Sequence, residues 1–302
     1  SLSANGLIFG GCYQIDSLSQ IFKVAIALGF LFVIAFSDKT IAINQCVRPE
    51  YYFFLSTATL GLMMLTSAVE LLTLYVALEL SSYSFYILVP LRRQKLLSAE
   101  GGIKYLLFGA AASGLMLYGM SLLSGVTQTS YFPQMSTTIA EWISTGAVPA
   151  VLPLALFLIL AAFFFKLSAF PFHFWAPDVY EGAPTPVTAF LSIASKTAGF
   201  VALFKFLFLA VGTEFMNWPR LFLLLSPITL IYGNLVALRQ TNMKRLFAYS
   251  SMSHAGYLLM GVAVANPLGL EATIYYLITY VFSNAAAFLV IVIANRELKS
   301  GD

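Results

Sequence analysis

Apolar residues run along this chain in stretches of about 20, divided by short polar segments. Nine stretches stand out, at about 17–37, 51–69, 70–90, 103–125, 150–174, 186–211, 219–238, 247–265 and 271–294. At 1.5 Å per residue each is long enough to cross a ~30 Å hydrocarbon core as a helix. No period-two alternation competes with the helical reading. The pattern predicts an all-α, polytopic transmembrane helix bundle that forms one domain over residues 1–302. By length, 51–69 and 70–90 also fit a single long helix, so a tight turn near residue 70 is part of the prediction.

The charges in the connecting segments alternate with the spans. Lys39 and Arg48 follow the first span, Arg92, Arg93 and Lys95 the third, Arg239, Lys244 and Arg245 the seventh, and Arg296 and Lys299 the ninth. Of basic residues, the second, fourth, sixth and eighth connections hold only Arg220. Basic residues gather on the cytoplasmic side of membrane proteins, so the N-terminus is expected outside and the C-terminus inside.

Composition agrees. Of 302 residues, 60% are hydrophobic and 10% charged, against about 25% charged in a soluble domain. The net charge of +3 is not a nucleic-acid signal, because no basic face forms and several lysines lie inside apolar runs. Cys12 and Cys46 flank the first span, on opposite membrane faces, and cannot pair. His173 and His254 are too far apart in sequence to suggest metal ligation. The chain begins without Met or a leader-like pattern and stops soon after an apolar run, so a fragment of a longer protein is expected.

The chemistry lies in the ionisable residues that remain inside the spans. A charge at the bilayer centre costs roughly 2.5–3.5 kcal/mol on insertion scales, so each needs a polar partner or a hydrated cavity. Glu79 shares a helix face with Tyr75, Ser82, Tyr83 and Tyr86, a polar stripe expected to face protein or water; a structural interhelical bond is the plainer alternative. Lys166 lies five residues before Pro171, which cannot donate to Leu167. A break there would free carbonyls beside the lysine, as in transporter ion sites. Lys196 lies mid-span between Ser192 and Gly199, small residues that admit a helix or water. Lys104 is only a turn or two inside its helix, where snorkelling to the interface is a rival reading. His254 shares a face with Ser250, Ser251 and Tyr257; it suits a proton relay, though a hydrogen-bonded core histidine has the same pattern. Lys23 and Lys205, near span ends, read as structural, and His173 as an interfacial anchor. Burial favours a neutral amine, and a nearby carboxylate favours the ammonium. At ~7 Å and an effective dielectric of ~20, one such pair interacts by roughly 2.4 kcal/mol. Moving a carboxylate could therefore release a lysine proton without any cofactor.

The run FFFKLSAFPFHFWAPDVYEGAPTPVTAFLSIASKTAGF, with GNLVALRQTNMKRLFAYSSMSHAGY further on, resembles the antiporter-like membrane subunit N of respiratory complex I, NADH:quinone oxidoreductase. The same family includes the mitochondrial subunit 2 and the corresponding subunit of the photosynthetic enzyme. The resemblance extends from about Asp16 to Arg296. It implies a fourteen-helix fold with two inverted five-helix repeats, each holding a broken helix, of which the nine spans match the third to eleventh helices. Glu79 then matches the glutamate of the fifth helix, Lys104 the lysine of the sixth, Lys166 that at the break in the seventh, Lys196 that of the eighth, and His254 the histidine of the tenth. The resemblance implies proton transfer through these five residues, driven by quinone reduction elsewhere. It also implies that no cofactor is bound by this chain, with NADH, FMN, iron–sulfur clusters and quinone held by its partners.

The expected partners are other membrane subunits of the complex, including other antiporter-like ones, the lipid bilayer and protons. The expected location is an energy-transducing membrane: bacterial plasma membrane, with an organellar membrane as the alternative. Two other readings remain at this point. One is a subunit of an Mrp-type monovalent cation/proton antiporter, which shares the PTPV core. The other is the membrane subunit of a related hydrogenase-like complex.

Overall fold

The structure, a computed structural model, describes residues 5–37, 45–92, 95–212 and 218–297. Lys39, Arg93 and Lys299, and the side chain of Arg296, fall outside these, so the charge alternation is traced only in part.

A short hairpin of β1 (Gly6–Ile8) and β2 (Tyr13–Ile15) leads into α1 (Ser17–Ser37). Two helices, α2 (Arg48–Leu65) and α3 (Leu71–Leu88), follow as a hairpin, so the 51–90 stretch is two helices. The turn between them is held from outside. Gln14 N–H donates to Ser67 O at 2.8 Å, Val69 N–H to Cys12 O at 3.1 Å and Leu71 N–H to Ser130 O at 3.0 Å. Glu70 caps α3, its carboxylate accepting from the Leu72 and Thr73 amides at 3.0 and 2.6 Å. Capping side chains contribute about 1 kcal/mol, so Glu70→Ala is expected to lower the thermal inactivation midpoint of the assembled protein while leaving its activity at low temperature unchanged. An unchanged midpoint would count against the cap.

Next come α4 (Leu96–Thr127), α5 (Phe132–Thr145), α6 (Leu152–Leu167), α7 (Trp175–Gly182), α8 (Thr185–Val211), α9 (Trp218–Ala237), α10 (Met243–Ala263) and α11 (Pro267–Glu297). At 32 residues α4 rises about 48 Å, more than a bilayer core. The hydrophobic pattern predicts nothing between 125 and 150, yet α5 forms there. It buries Phe132, Met135 and Ile139 at helical spacing, with polar residues outward, so it lacks the apolar run that marks a span.

Among the described residues six helices are long and apolar enough to cross a membrane: α1, α3, α4, α8, α9 and α11. The other three predicted spans contain helices that miss this standard. The helix α6 has 16 residues; α2 starts with Arg48 and Glu50, and α10 carries Lys244, Arg245, His254 and several hydroxyls. Large apolar side chains such as Leu31, Phe53, Leu107, Leu223 and Phe282 face outward from the bundle, as lipid contact requires.

The ends of the helices sort into two groups. The α2–α3 turn meets the start of α5, through Phe132 N–H to Val69 O at 3.0 Å, and the start of α1 lies beside the end of α8 through Asp16 and Lys205. The starts of α4 and α10 meet α7 at the other end, through Asp178. At the centre is α8, whose apolar window is wholly buried. A helix apolar all round belongs inside a bundle. Its α-helical pattern is interrupted by π-helical turns at Leu191–Ser195 and Phe206–Val211. Tight packing relies on small residues: a Cβ on Gly119 of α4 would fall 2.7 Å from Ala155 O of α6.

Candidate proton-transfer site

Lys166 occupies the last turn of α6 and is 3% exposed. The helix stops one residue later, because Ser168 turns left-handed (φ 55°). Its N–H bonds Phe165 O at 3.0 Å, and Ala169 N–H bonds Phe164 O at 2.9 Å, a helix-closing pattern of the Schellman type. Helix α7 begins at Trp175, whose indole also donates to Phe165 O at 2.9 Å. The chain therefore leaves the helix three residues before Pro171, and the carbonyls of Phe164 and Phe165 are taken by backbone and indole donors. The expected freed carbonyls beside Lys166 are thus not found at Phe164 and Phe165. Its ammonium points instead to α3, donating to Ser81 Oγ at 3.0 Å and Ser82 Oγ at 3.2 Å.

One turn back on α3 lies Glu79, buried and accepting a short hydrogen bond from Ser113 Oγ of α4. Glu79 and Lys166 make no direct ion pair; Ser82, three residues after Glu79, stands beside both. The expected polar stripe is only partly interior. Ser82 and Tyr86 are buried, whereas Tyr83 is 58% exposed, because one helix face is narrower than the stripe.

Lys196 lies directly after the first π-helical turn of α8 and is 2% exposed. Its Nζ donates to Ser251 O of α10 at 2.7 Å. Around it runs a chain of hydroxyls: Tyr180 to Ser251 at 3.2 Å, Ser251 to Tyr280 at 3.1 Å, and Tyr280 to Ser192 at 3.0 Å. Gly199 brings the two lysines' helices together, since a Cβ there would lie 3.4 Å from Lys166 Cγ. His254 is half-buried and shares a hydrogen bond with Tyr276 Oη at 2.7 Å. Its ring lies 5.1 Å from that of Tyr280, a ring contact and not a hydrogen bond. Sequence reasoning missed Tyr180, Tyr276, Tyr280 and Ser113. Tyr276 and Tyr280 sit in a mostly apolar run of α11, and only packing aims them at α8 and α10.

Lys104 stands apart from this group. It is 38% exposed and pairs with Glu100 at 2.5 Å and Asp178 at 2.6 Å. Asp178, in α7 and outside the predicted spans, also accepts from Arg245 at 2.7 Å. Burial pushes its carboxyl up, but the hydrogen bonds from Lys104 and Arg245 hold it, on balance, below the usual carboxylate range.

Lys205 is buried and pairs with Asp16 Oδ2 at 2.7 Å. One plain reading from sequence changes. His173 is not an interfacial anchor. It is buried among Phe170, Phe174 and Tyr232, and neither ring nitrogen has a hydrogen-bond partner. Among the described residues no group of three His, Cys, Asp or Glu side chains is placed to hold a metal ion.

Known proteins place this arrangement. Over 286 residues the chain is 45% identical to NADH-quinone oxidoreductase subunit N of Moorella thermoacetica, covering 95% of this chain and 59% of that protein. A chain of respiratory complex I from Thermus thermophilus superposes with a TM-score of 0.78 at 35% identity, covering 93% of this chain and 58% of that one. The Mrp complex from a Dietzia species contains a chain with the same fold, at a TM-score of 0.82 and 22% identity, covering 94% and 52%. The chain thus spans about three fifths of the length of the relatives it matches. Residues 68–301 match the family model described as NADH:quinone oxidoreductase/Mrp antiporter, transmembrane. A multi-pass helical chain with these buried charges, so matched over most of its length, belongs to the NADH:quinone oxidoreductase/Mrp antiporter transmembrane family.

Proposed function

We propose that this chain is part of the proton-translocating, antiporter-like membrane subunit N of a complex I-type NADH:quinone oxidoreductase. The carrying observation is the set of charged side chains buried on neighbouring helices, Glu79 on α3, Lys166 on α6 and Lys196 on α8, each set among serine or tyrosine hydroxyls. A lysine so placed gives up or regains a proton according to the charge beside it. Protons enter this relay near Glu79, pass from Lys166 to Lys196 across the Gly199 contact, and leave toward His254. The link between neighbouring stations requires water in the gaps that hydroxyls do not span. Lys104, the fifth residue that the resemblance implies, lies apart from these stations.

The nine-span, single-domain organisation with N-terminus outside belongs to this reading, as does a broken helix near Lys166. So does the division of labour. Redox chemistry, NADH, FMN, iron–sulfur clusters and quinone belong to partner subunits, and none of these groups is held by this chain. Its neighbours are other membrane subunits, including antiporter-like ones. The plasma membrane is the proposed location, because relatives such as those of Moorella thermoacetica and Chlorobium chlorochromatii are bacterial. Greater identity to subunit N than to the Mrp-complex chain favours complex I over an Mrp antiporter.

The test uses the full-length subunit in its assembled complex. Glu79→Ala is expected to slow quinone-linked proton uptake into inverted vesicles by about 100-fold, since proton transfer through a positioned side chain is worth roughly 10²–10⁴-fold. NADH oxidation with an artificial acceptor is expected to stay intact. Normal pumping by a fully assembled Glu79→Ala complex would refute the role.

A further inference from the structure

We infer that Lys104 is a positioning residue, whose fixed charge ties α7 to α4 and α10 through Asp178, and that it does not carry the moving proton. The inference rests on the proposed proton relay and revises one member of it.

The tie has three strands. From α4, Lys104 Nζ donates to Asp178 Oδ2 at 2.6 Å while Glu100 holds its other side at 2.5 Å. From α10, Arg245 donates to the second oxygen of Asp178 at 2.7 Å and to Glu181 at 2.9 Å. The same end of α10 reaches the last turn of α7 twice more: Asn242 donates to Glu181 Oε1 at 3.1 Å, and Lys244 donates to the backbone carbonyls of Glu181 at 2.6 Å and Ala183 at 3.2 Å. Packing closes the joint, because a Cβ on Gly182 would overlap Leu97 O and one on Gly101 would fall 2.8 Å from Asp178 O.

This geometry suits a tether better than a relay. An ammonium between two carboxylates is held in its charged form. Its neighbour Tyr105 stacks on Trp175 and Phe165 at 4.7 and 6.0 Å and meets Tyr86 edge-on at 5.0 Å, all ring contacts and none a hydrogen bond. A proton path needs hydrogen-bonded hydroxyls or water instead. What Asp178 does control is the placement of α7, whose first residue, Trp175, bonds the carbonyl next to Lys166. The tie therefore acts on the relay by position.

Arginine separates the two roles, since it pairs with a carboxylate but keeps its proton. In inverted vesicles containing the whole complex, proton uptake per NADH oxidised is expected to stay within about twofold of wild type in Lys104→Arg. Lys104→Met and Asp178→Asn are expected to lower it several-fold, and the double variant to be no worse than Asp178→Asn alone, because both singles break one contact. An assembled Lys104→Arg complex that pumps as poorly as Lys104→Met would make Lys104 a proton carrier and overturn the inference. Normal pumping by Lys104→Met would overturn it too. Should Asp178→Asn fail to assemble, the two Lys104 variants decide. Lys196→Arg, run in parallel, distinguishes the premises: normal pumping there refutes the relay and leaves the tie to stand on the Lys104 results.

Discussion

Lys196→Arg is expected to assemble and to pump at least about tenfold more slowly than wild type, the largest loss any charge-conserving change should cause here. Lys196 is buried on a central helix, and its ammonium contacts one backbone carbonyl, Ser251 O, amid serine and tyrosine hydroxyls. No carboxylate pairs with it among the described residues, so its charge is held by dipoles alone. That is a site where an amine can exchange between charged and neutral forms, whereas a guanidinium cannot. The positive charge survives in the variant, so helix packing that depends on charge should survive too. Proton uptake, assembly on native gels and NADH oxidation with an artificial acceptor together check this. Wild-type pumping by Lys196→Arg would reduce Lys196 to a structural charge.

Removing both charges of the Glu79–Lys166 site is expected to restore stability without restoring pumping. Each single neutral variant, Glu79→Gln or Lys166→Met, leaves one charge buried with its partner gone. At ~7 Å and an effective dielectric of ~20, the lost attraction is roughly 2.4 kcal/mol. The double variant has no orphaned charge, and replacing buried charges by neutral groups of similar volume is often neutral or stabilising. Thermal inactivation midpoints should therefore fall in both singles and recover in the double, while proton uptake stays low in all three. Additive losses of stability would show that the two residues do not sense one another, and that the serines between them insulate them.

The hydrophobic pattern alone determined that this is a helical membrane chain, because a span must be about 20 apolar residues long whatever surrounds it. It also singled out Glu79, Lys166 and Lys196. A charge is costly in hydrocarbon, so its presence mid-span is informative without any knowledge of neighbours. What each charge touches could not be read that way. The end of α6 at Ser168 is a left-handed residue closing a helix, a conformation that no residue preference for serine announces, and it turned Lys166 from the backbone to Ser81 and Ser82. The burial of Lys205 against Asp16 depends on two helices meeting end to end, 189 positions apart in sequence by their numbers. His173 looked interfacial beside its proline, yet packing enclosed it. Lys104 and Lys196 look alike along the chain, each a lysine in an apolar run. Only the arrival of Asp178 from α7 beside one, and of the Ser251 carbonyl from α10 beside the other, makes the first a fixed charge and the second a candidate carrier. Depth in a span is a local property of sequence. The partner that decides whether a proton stays or leaves is brought by tertiary packing.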